Sequence, residues 1–259
     1  MTNQTPPNHR KTLYLLLGFF LLLLFACGES KLTETNESNA KQTENQLPSL
    51  SFGESKPTGT NESNATQTDN QLPSFRILIL GDSLTEGYGV SASEAYPSLL
   101  EKKLNKELSP KTKVHYKIVN GGISGATTSG GVSRIEWFLQ SKPNYLLVAL
   151  GGNDGLRGIS VDEMKKNIDR ILQSAKQNNI PVMLAGMKIP PNYGPEYSLA
   201  FTQVFEDLAL VHEVPLIPFL LEGVGGDPEL NLPDRIHPNP LGHQAICQTV
   251  YKSLVANLN

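Results

Sequence analysis

From residue 75 onward, short apolar runs rich in Ile, Leu and Val alternate with longer stretches of helical periodicity, and few folds other than a parallel sheet accommodate that order. The spacing predicts strands over 76–80, 114–119, 145–150, 182–185 and 216–219, and helices over 93–107, 127–140, 161–178, 196–213 and 240–258. The later strands are almost continuously apolar, as in a sheet covered on both faces. Strand–helix–strand units of this kind connect by right-handed crossovers. Open parallel sheets collect ligands at the carboxyl ends of their strands, so the chemistry is to be sought in three segments. They are Gly81-Asp82-Ser83-Leu84-Thr85, Asn120-Gly121-Gly122-Ile123-Ser124-Gly125, and Gly151-Gly152-Asn153-Asp154.

The chain before residue 75 has a different character. Arg10 and Lys11 precede an apolar run from Leu13 to Ala26 that is interrupted only by Gly18. That is a basic region followed by a hydrophobic one, too short to span a bilayer as a helix and matching an export signal over 1–26. It ends in Leu24-Phe25-Ala26-Cys27-Gly28, which resembles a lipobox, with Phe25 bulkier than the usual residue there. The resemblance implies lipid attachment at Cys27 and an exported, membrane-anchored lipoprotein facing the periplasm or the cell surface. The remaining cysteine, Cys247, has no partner for an internal disulfide and reads as a small apolar residue on the inward face of the last helix.

A direct repeat fills the space between. GESKLTETNESNAKQTENQLPS recurs as GESKPTGTNESNATQTDNQLPS at an offset of 25 residues, with 18 of 22 positions identical. Such polar units bury too little surface to offset the entropy of ordering. Residues 27–74 therefore read as a disordered tether with a root-mean-square reach of about 35 to 40 Å. Asn36 and Asn61 sit in glycosylation-type triplets, but the bacterial reading of Cys27 argues against their use. The formal net charge of -3 and pI near 6.0 give no broad basic surface, so nucleic acid is not an expected partner.

A serine acts as a nucleophile when a base takes its proton, a third group orients that base, and donors meet the oxyanion. Ser83 follows a buried strand through a tight turn, although a serine there also serves as a helix N-cap. His237 lies in Asp234-Arg235-Ile236-His237-Pro238, where a separation of three residues in a turn can bring the Asp234 carboxylate to Nδ1. A surface histidine with a capping aspartate has the same sequence pattern. The backbone N–H groups of Ser83 and Gly125 and the amide of Asn153 are candidate oxyanion donors that can converge from three strand ends, with turn geometry and an Asx-turn as the structural alternatives for Gly125 and Asn153.

These four blocks together carry a resemblance. Gly81-Asp82-Ser83-Leu84, Gly125, Gly151-Gly152-Asn153-Asp154 and Asp234-Arg235-Ile236-His237 supply Ser, Gly, Asn and His in the order of the SGNH, or GDSL, hydrolase superfamily. GGNDGLRG at 151–158, PPNYG at 190–194 and VPLIPFLLE at 214–222 resemble its bacterial periplasmic thioesterase I, lysophospholipase L1 and arylesterase group. The resemblance spans 75–259 and implies one flavodoxin-like domain, a three-layer α/β/α sandwich on a five-stranded parallel sheet. It implies Ser83 as nucleophile, His237 as base, Asp234 as its partner, and Ser83, Gly125 and Asn153 as the oxyanion hole. It also implies a monomer that needs no cofactor and cleaves lysophospholipids, aryl esters and acyl thioesters, with the loops 155–158 and 190–193 lining the acyl site.

Asp82, Asp154 and Arg157 are expected to give structural support. His9, His115, His212 and His243 lie outside any cluster of metal-ligand spacing, so no metal is expected. No G-x-S-x-G segment occurs, which argues against an α/β-hydrolase elbow. A carbohydrate O-acetylesterase and a non-catalytic surface-binding lipoprotein are the alternative readings.

Overall fold

The computed structural model describes residues 72–258. The export signal, Cys27 and most of the repeated tether lie outside the described residues. Five parallel strands form the sheet: β1 (Ser74–Gly81), β2 (His115–Gly122), β3 (Tyr145–Ala149), β4 (Val182–Ala185) and β5 (Leu216–Ile217), in the spatial order β2-β1-β3-β4-β5. Helices α2 (Tyr96–Glu107) and α8 (Pro240–Val255) pack together, and α4 (Thr128–Leu139), α6 (Val161–Gln177) and α7 (Pro195–His212) form a second group. Short helices α1 (Ser83–Glu86), α3 (Ser109–Thr112) and α5 (Gly152–Leu156) complete the domain. This is the expected three-layer α/β/α sandwich.

The core follows from the strand sequences. Ile77 to Leu80 in β1 and Leu146 to Val148 in β3 are at most 1% exposed, because helices cover both faces of these central strands. Helix α6 directs Met164, Ile168, Ile171, Leu172 and Ala175 inward at intervals of three and four residues. Cys247 is buried on α8 beside Ile246 and Val250, and burial pushes its thiol up to about 11, which suits a packing residue.

The elements differ from the sequence expectation mainly at their ends. Strand β2 runs on to Gly122 rather than stopping at 119, and β5 is two residues long because Pro218 has no N–H to continue the ladder. The helix expected over 93–107 begins at Tyr96, with Pro97 in its first turn, and the last helix ends at Val255. Helices α1 and α5, of four and five residues, are too short to show a period in sequence.

The sheet changes direction of growth between β1 and β3, which opens a crevice at their carboxyl ends. The end of β2 presses directly on α1: a Cβ at Gly122 would stand 2.2 Å from the Glu86 backbone nitrogen. Asn120 ties the same junction, donating from Nδ2 to Thr85 O at 2.9 Å. Thr85 in turn meets the Tyr96 hydroxyl at 2.7 Å, joining α1 to α2. Gly122→Ala is therefore expected to lower stability by about 1–3 kcal/mol through backbone displacement, read as a fall in thermal midpoint. An unchanged midpoint would show that the junction yields freely.

Buried His243 links α8 to α2, its Nδ1 accepting the Tyr96 N–H at 3.2 Å while Nε2 has no partner. Burial lowers this imidazole from 6.5 to about 4, against the raising effect of Glu94 and with a smaller lowering effect from His237. The unfolded chain then binds the extra proton between those values, so the His243 contribution is intact above pH 6.5 and falls on acidification to about pH 4. It amounts to on the order of 3 kcal/mol. Asp82, raised from 3.8 to about 6, acts in the opposite sense on acidification. Denaturant unfolding of His243→Gln alongside the parent chain should show a shallower acid-side loss, whereas parallel pH profiles would remove His243 from the account.

Candidate active site

Ser83 opens α1, two residues beyond the end of β1, and is 8% exposed. Asp82, not Ser83, caps this helix: its carboxylate accepts the Leu84 N–H at 3.0 Å. The N-cap alternative for Ser83 is thereby removed, and its hydroxyl is free for another partner. Gly87 ends the helix in the left-handed region at φ 90°, and both Gly87 N–H and Tyr88 N–H donate to Ser83 O.

That other partner is His237, whose Nε2 lies 3.0 Å from Ser83 Oγ. On the opposite side of the ring, Nδ1 lies 2.7 Å from Asp234 Oδ2. A carboxylate only accepts, so Nδ1 carries the hydrogen and the Nε2 lone pair faces the serine hydroxyl. The turn is built for this orientation. Asp234 Oδ1 accepts the backbone N–H groups of Ile236 at 2.9 Å and His237 at 3.0 Å. Leu232 N–H closes the loop on His237 O at 2.7 Å, and Asn231 and Pro238 form an antiparallel bridge. Asn239 then starts α8 by accepting from Leu241 and Gly242 N–H.

The two aspartates of the site have opposite environments. Partial burial raises the Asp234 carboxyl, but hydrogen bonds from His237 N–H, the His237 imidazole and Ile236 N–H outweigh it and hold the group at about 2. Burial dominates at Asp82, 2% exposed, and pushes it up to about 6 despite the Leu84 hydrogen bond and nearby His237. The Tyr88 ring rests with its centroid 4.4 Å from that of His237.

Asn153 projects from α5 after β3, and its Nδ2 makes a long 3.4 Å contact with Asp82 Oδ2. It is a residue of a short helix with no Asx-turn bond of its own. Gly125 lies beyond β2 at φ 73°, and Arg157 holds its carbonyl at 2.9 Å. Among the described residues, the backbone N–H groups of Ser83 and Gly125 donate to no protein acceptor. Asp154, 1% exposed, receives Thr128 N–H at 2.9 Å and Thr128 Oγ1 at 2.6 Å, fastening α5 to the start of α4. Asp82, Asp154 and Arg157 thus hold the elements that carry the site.

Ser83, Asn153 and His237 line a cavity of about 560 Å³ with Leu156, Met187, Ile189, Pro190, Phe219, Leu221 and Ile236. Leu156 and Pro190 belong to the two loops expected there. Met187, Ile189, Phe219 and Leu221 were not legible as cavity residues, since an apolar stretch after a strand reads as core. Gly125 does not line the cavity. His212 pairs with Asp169 at 2.7 Å between α7 and α6, and His115 opens β2, apart from this site. Among the described residues, no group of three or more His, Cys, Asp and Glu side chains is arranged to hold a metal ion.

Comparison with known proteins agrees with this architecture. The chain is 36% identical over 179 residues to Esterase TesA of Pseudomonas aeruginosa, covering 69% of this chain and 87% of that protein. It is 39% identical over 184 residues to thioesterase 1/protease 1/lysophospholipase L1 of Escherichia coli, covering 71% and 85%. The crystal structure of a psychrotrophic esterase, EstA from Pseudoalteromonas sp., inhibited by monoethylphosphonate, superposes with a TM-score of 0.66 at 34% identity, covering 71% of this chain and 98% of that one. Residues 79–245 match the model of the GDSL-like lipase/acylhydrolase family, and this chain belongs to that family of ester hydrolases.

Proposed function

We propose that the chain hydrolyses carboxylic esters by two-step acyl transfer, with Ser83 as nucleophile, His237 as base and Asp234 as the group that orients it. The hydrogen-bonded series Asp234–His237–Ser83 opening on an apolar cavity is the observation that carries this reading. His237 Nε2 accepts the Ser83 proton as Oγ attacks the ester carbonyl, and the imidazolium formed is stabilised by an ionised Asp234. The tetrahedral oxyanion is met by the Ser83 and Gly125 N–H groups and the Asn153 amide. His237 then returns the proton to the leaving oxygen or sulfur. Water, activated by the same imidazole, attacks the acyl-Ser83 carbonyl and releases the acid.

An aliphatic acyl chain suits walls formed by Leu156, Met187, Ile189, Phe219 and Leu221 better than an acetylated sugar does. Lysophospholipids, aryl esters and acyl thioesters are accordingly the substrate classes of this reading, as in the names of the relatives. Acyl-CoA is scarce outside the cytoplasm, so an exported enzyme would meet lysophospholipids and foreign esters. The lipobox-like segment supports attachment of the exported chain to a membrane through Cys27, with 27–74 as the spacer to a monomeric domain over 75–259.

With the full chain acting on p-nitrophenyl esters and a lysophosphatidylcholine, Ser83→Ala and His237→Ala are expected to lower kcat by about 10⁴-fold or more. Asp234→Ala should lower it about 10³- to 10⁴-fold, and Asn153→Ala about 10²- to 10³-fold. Retention of activity in folded Ser83→Ala would sink the serine mechanism. Separately, expression of Cys27→Ala in a lipid-modifying bacterium should abolish incorporation of labelled fatty acid and move the protein out of the membrane fraction. Equal labelling of both chains would disprove attachment at Cys27.

A further inference from the structure

Two cations line the cavity without a part in the acyl-transfer steps. Lys188 follows β4, and Arg235 stands between Asp234 and His237. Arg235 is exposed and adopts φ 59°, a left-handed conformation that glycine takes without steric cost and other residues do not. The turn needs this conformation, because Asp234 accepts the Ile236 and His237 backbone N–H groups and Arg235 N–H closes on Leu232 O at 2.8 Å. It does not need the arginine side chain, which forms no ion pair among the described residues.

Lys188 is similarly available. Its ammonium lies 4.8 Å over the Phe219 ring and 4.0 Å from Glu222, in a pair whose side chains are 52% and 71% exposed. An ion pair that long and that hydrated holds its cation weakly. Both cations sit at the solvent-facing part of a site whose other walls are largely apolar.

The reaction orders the substrate within that cavity. The leaving oxygen must reach His237 Nε2 to recover its proton, so the leaving group lies along the wall formed by Arg235, Ile236 and His237, while the acyl chain takes the apolar walls. We infer that Arg235 and Lys188 recognise an anionic leaving group, a phosphate-bearing alcohol, and make the site selective for phosphorylated acyl esters such as lysophospholipids over neutral esters of the same chain. A guanidinium offers a planar fork of donors to phosphate oxygens, and an ammonium adds a point charge. The inference rests on the hydrolase reading above and narrows its substrate class.

A matched pair of substrates tests it. With the full chain, 1-octanoylglycerol 3-phosphate and 1-octanoylglycerol share the acyl chain and the scissile bond and differ in the phosphate alone. The wild-type ratio of kcat/KM should favour the phosphorylated ester, mainly through KM, and should shrink as added salt screens the charges. Arg235→Gly suits the left-handed backbone, and it and Lys188→Gln should each lower the ratio about fivefold. Arg235→Lys, which keeps the charge, should retain more of the preference than Arg235→Gly. A wild-type ratio at or below one, or one that neither variant changes, overturns the inference while p-nitrophenyl octanoate hydrolysis still supports the hydrolase. Failure to hydrolyse all three esters defeats both.

Discussion

Taking a carboxylate out of water costs several kcal/mol unless its oxygens find partners, and this domain does so at Asp82, where β1 turns into α1. One Asp82 oxygen accepts the Leu84 N–H and starts the helix that presents Ser83. The other faces the amide of Asn153 in α5, just past β3. The residue thus joins the two strand ends that flank the reversal in sheet growth, and the site inherits its position from that join. On the far side, Gly122 brings β2 so close to Glu86 that α1 has no room to shift toward it. Ser83 is held by a buried carboxyl on one flank and by backbone contact on the other, which places its hydroxyl before any substrate arrives.

Opposite treatment of two aspartates divides the work. Asp234 receives three hydrogen bonds, two from backbone and one from the imidazole, and these keep it ionised far below neutrality. A negative charge at Nδ1 fixes one tautomer of His237, and in the proposed mechanism it stabilises the imidazolium that forms. Asp82 is buried with one firm hydrogen bond and one long contact, and its carboxyl is pushed up to about 6. Its place in the fold is that of a cap and spacer, while Asp234 supplies the field. The same residue type supports structure at one position and charge at the other, because hydrogen-bond donors surround one and the core surrounds the other.

The alternation of apolar strands and amphipathic helices was enough to give five parallel strands and their covering layers, because burial on both faces leaves a nearly continuous apolar record in sequence. Ser83, Asn153, Asp234 and His237 were legible for a related reason: each sits just past a strand or before a helix, where ligand sites gather. The cavity wall was not. Met187 and Ile189 follow β4, and Phe219 and Leu221 follow β5; their apolar character is the same whether they face core or cleft. Only the three-dimensional path distinguishes the two. The left-handed turn at Arg235 escaped for another reason, since left-handed backbone is read from glycine and asparagine and nothing in an arginine announces it.

The placement of Arg235 bears on how selectivity arises in a site of this kind. An apolar cavity distinguishes acyl chains poorly, each methylene contributing at most about 1–3 kcal/mol, so discrimination among esters of one chain must come from the leaving group. On the proposed mechanism the leaving group passes beside the turn that holds His237, and the exposed Arg235 side chain takes no part in the hydrogen bonds of Asp234. Those bonds involve the backbone on either side of Arg235, not its side chain. On the proposed reading, the turn from Asp234 to His237 would carry both the orientation of the base and the charge preference, by different atoms, so the side chain at 235 can change while the imidazole stays in place.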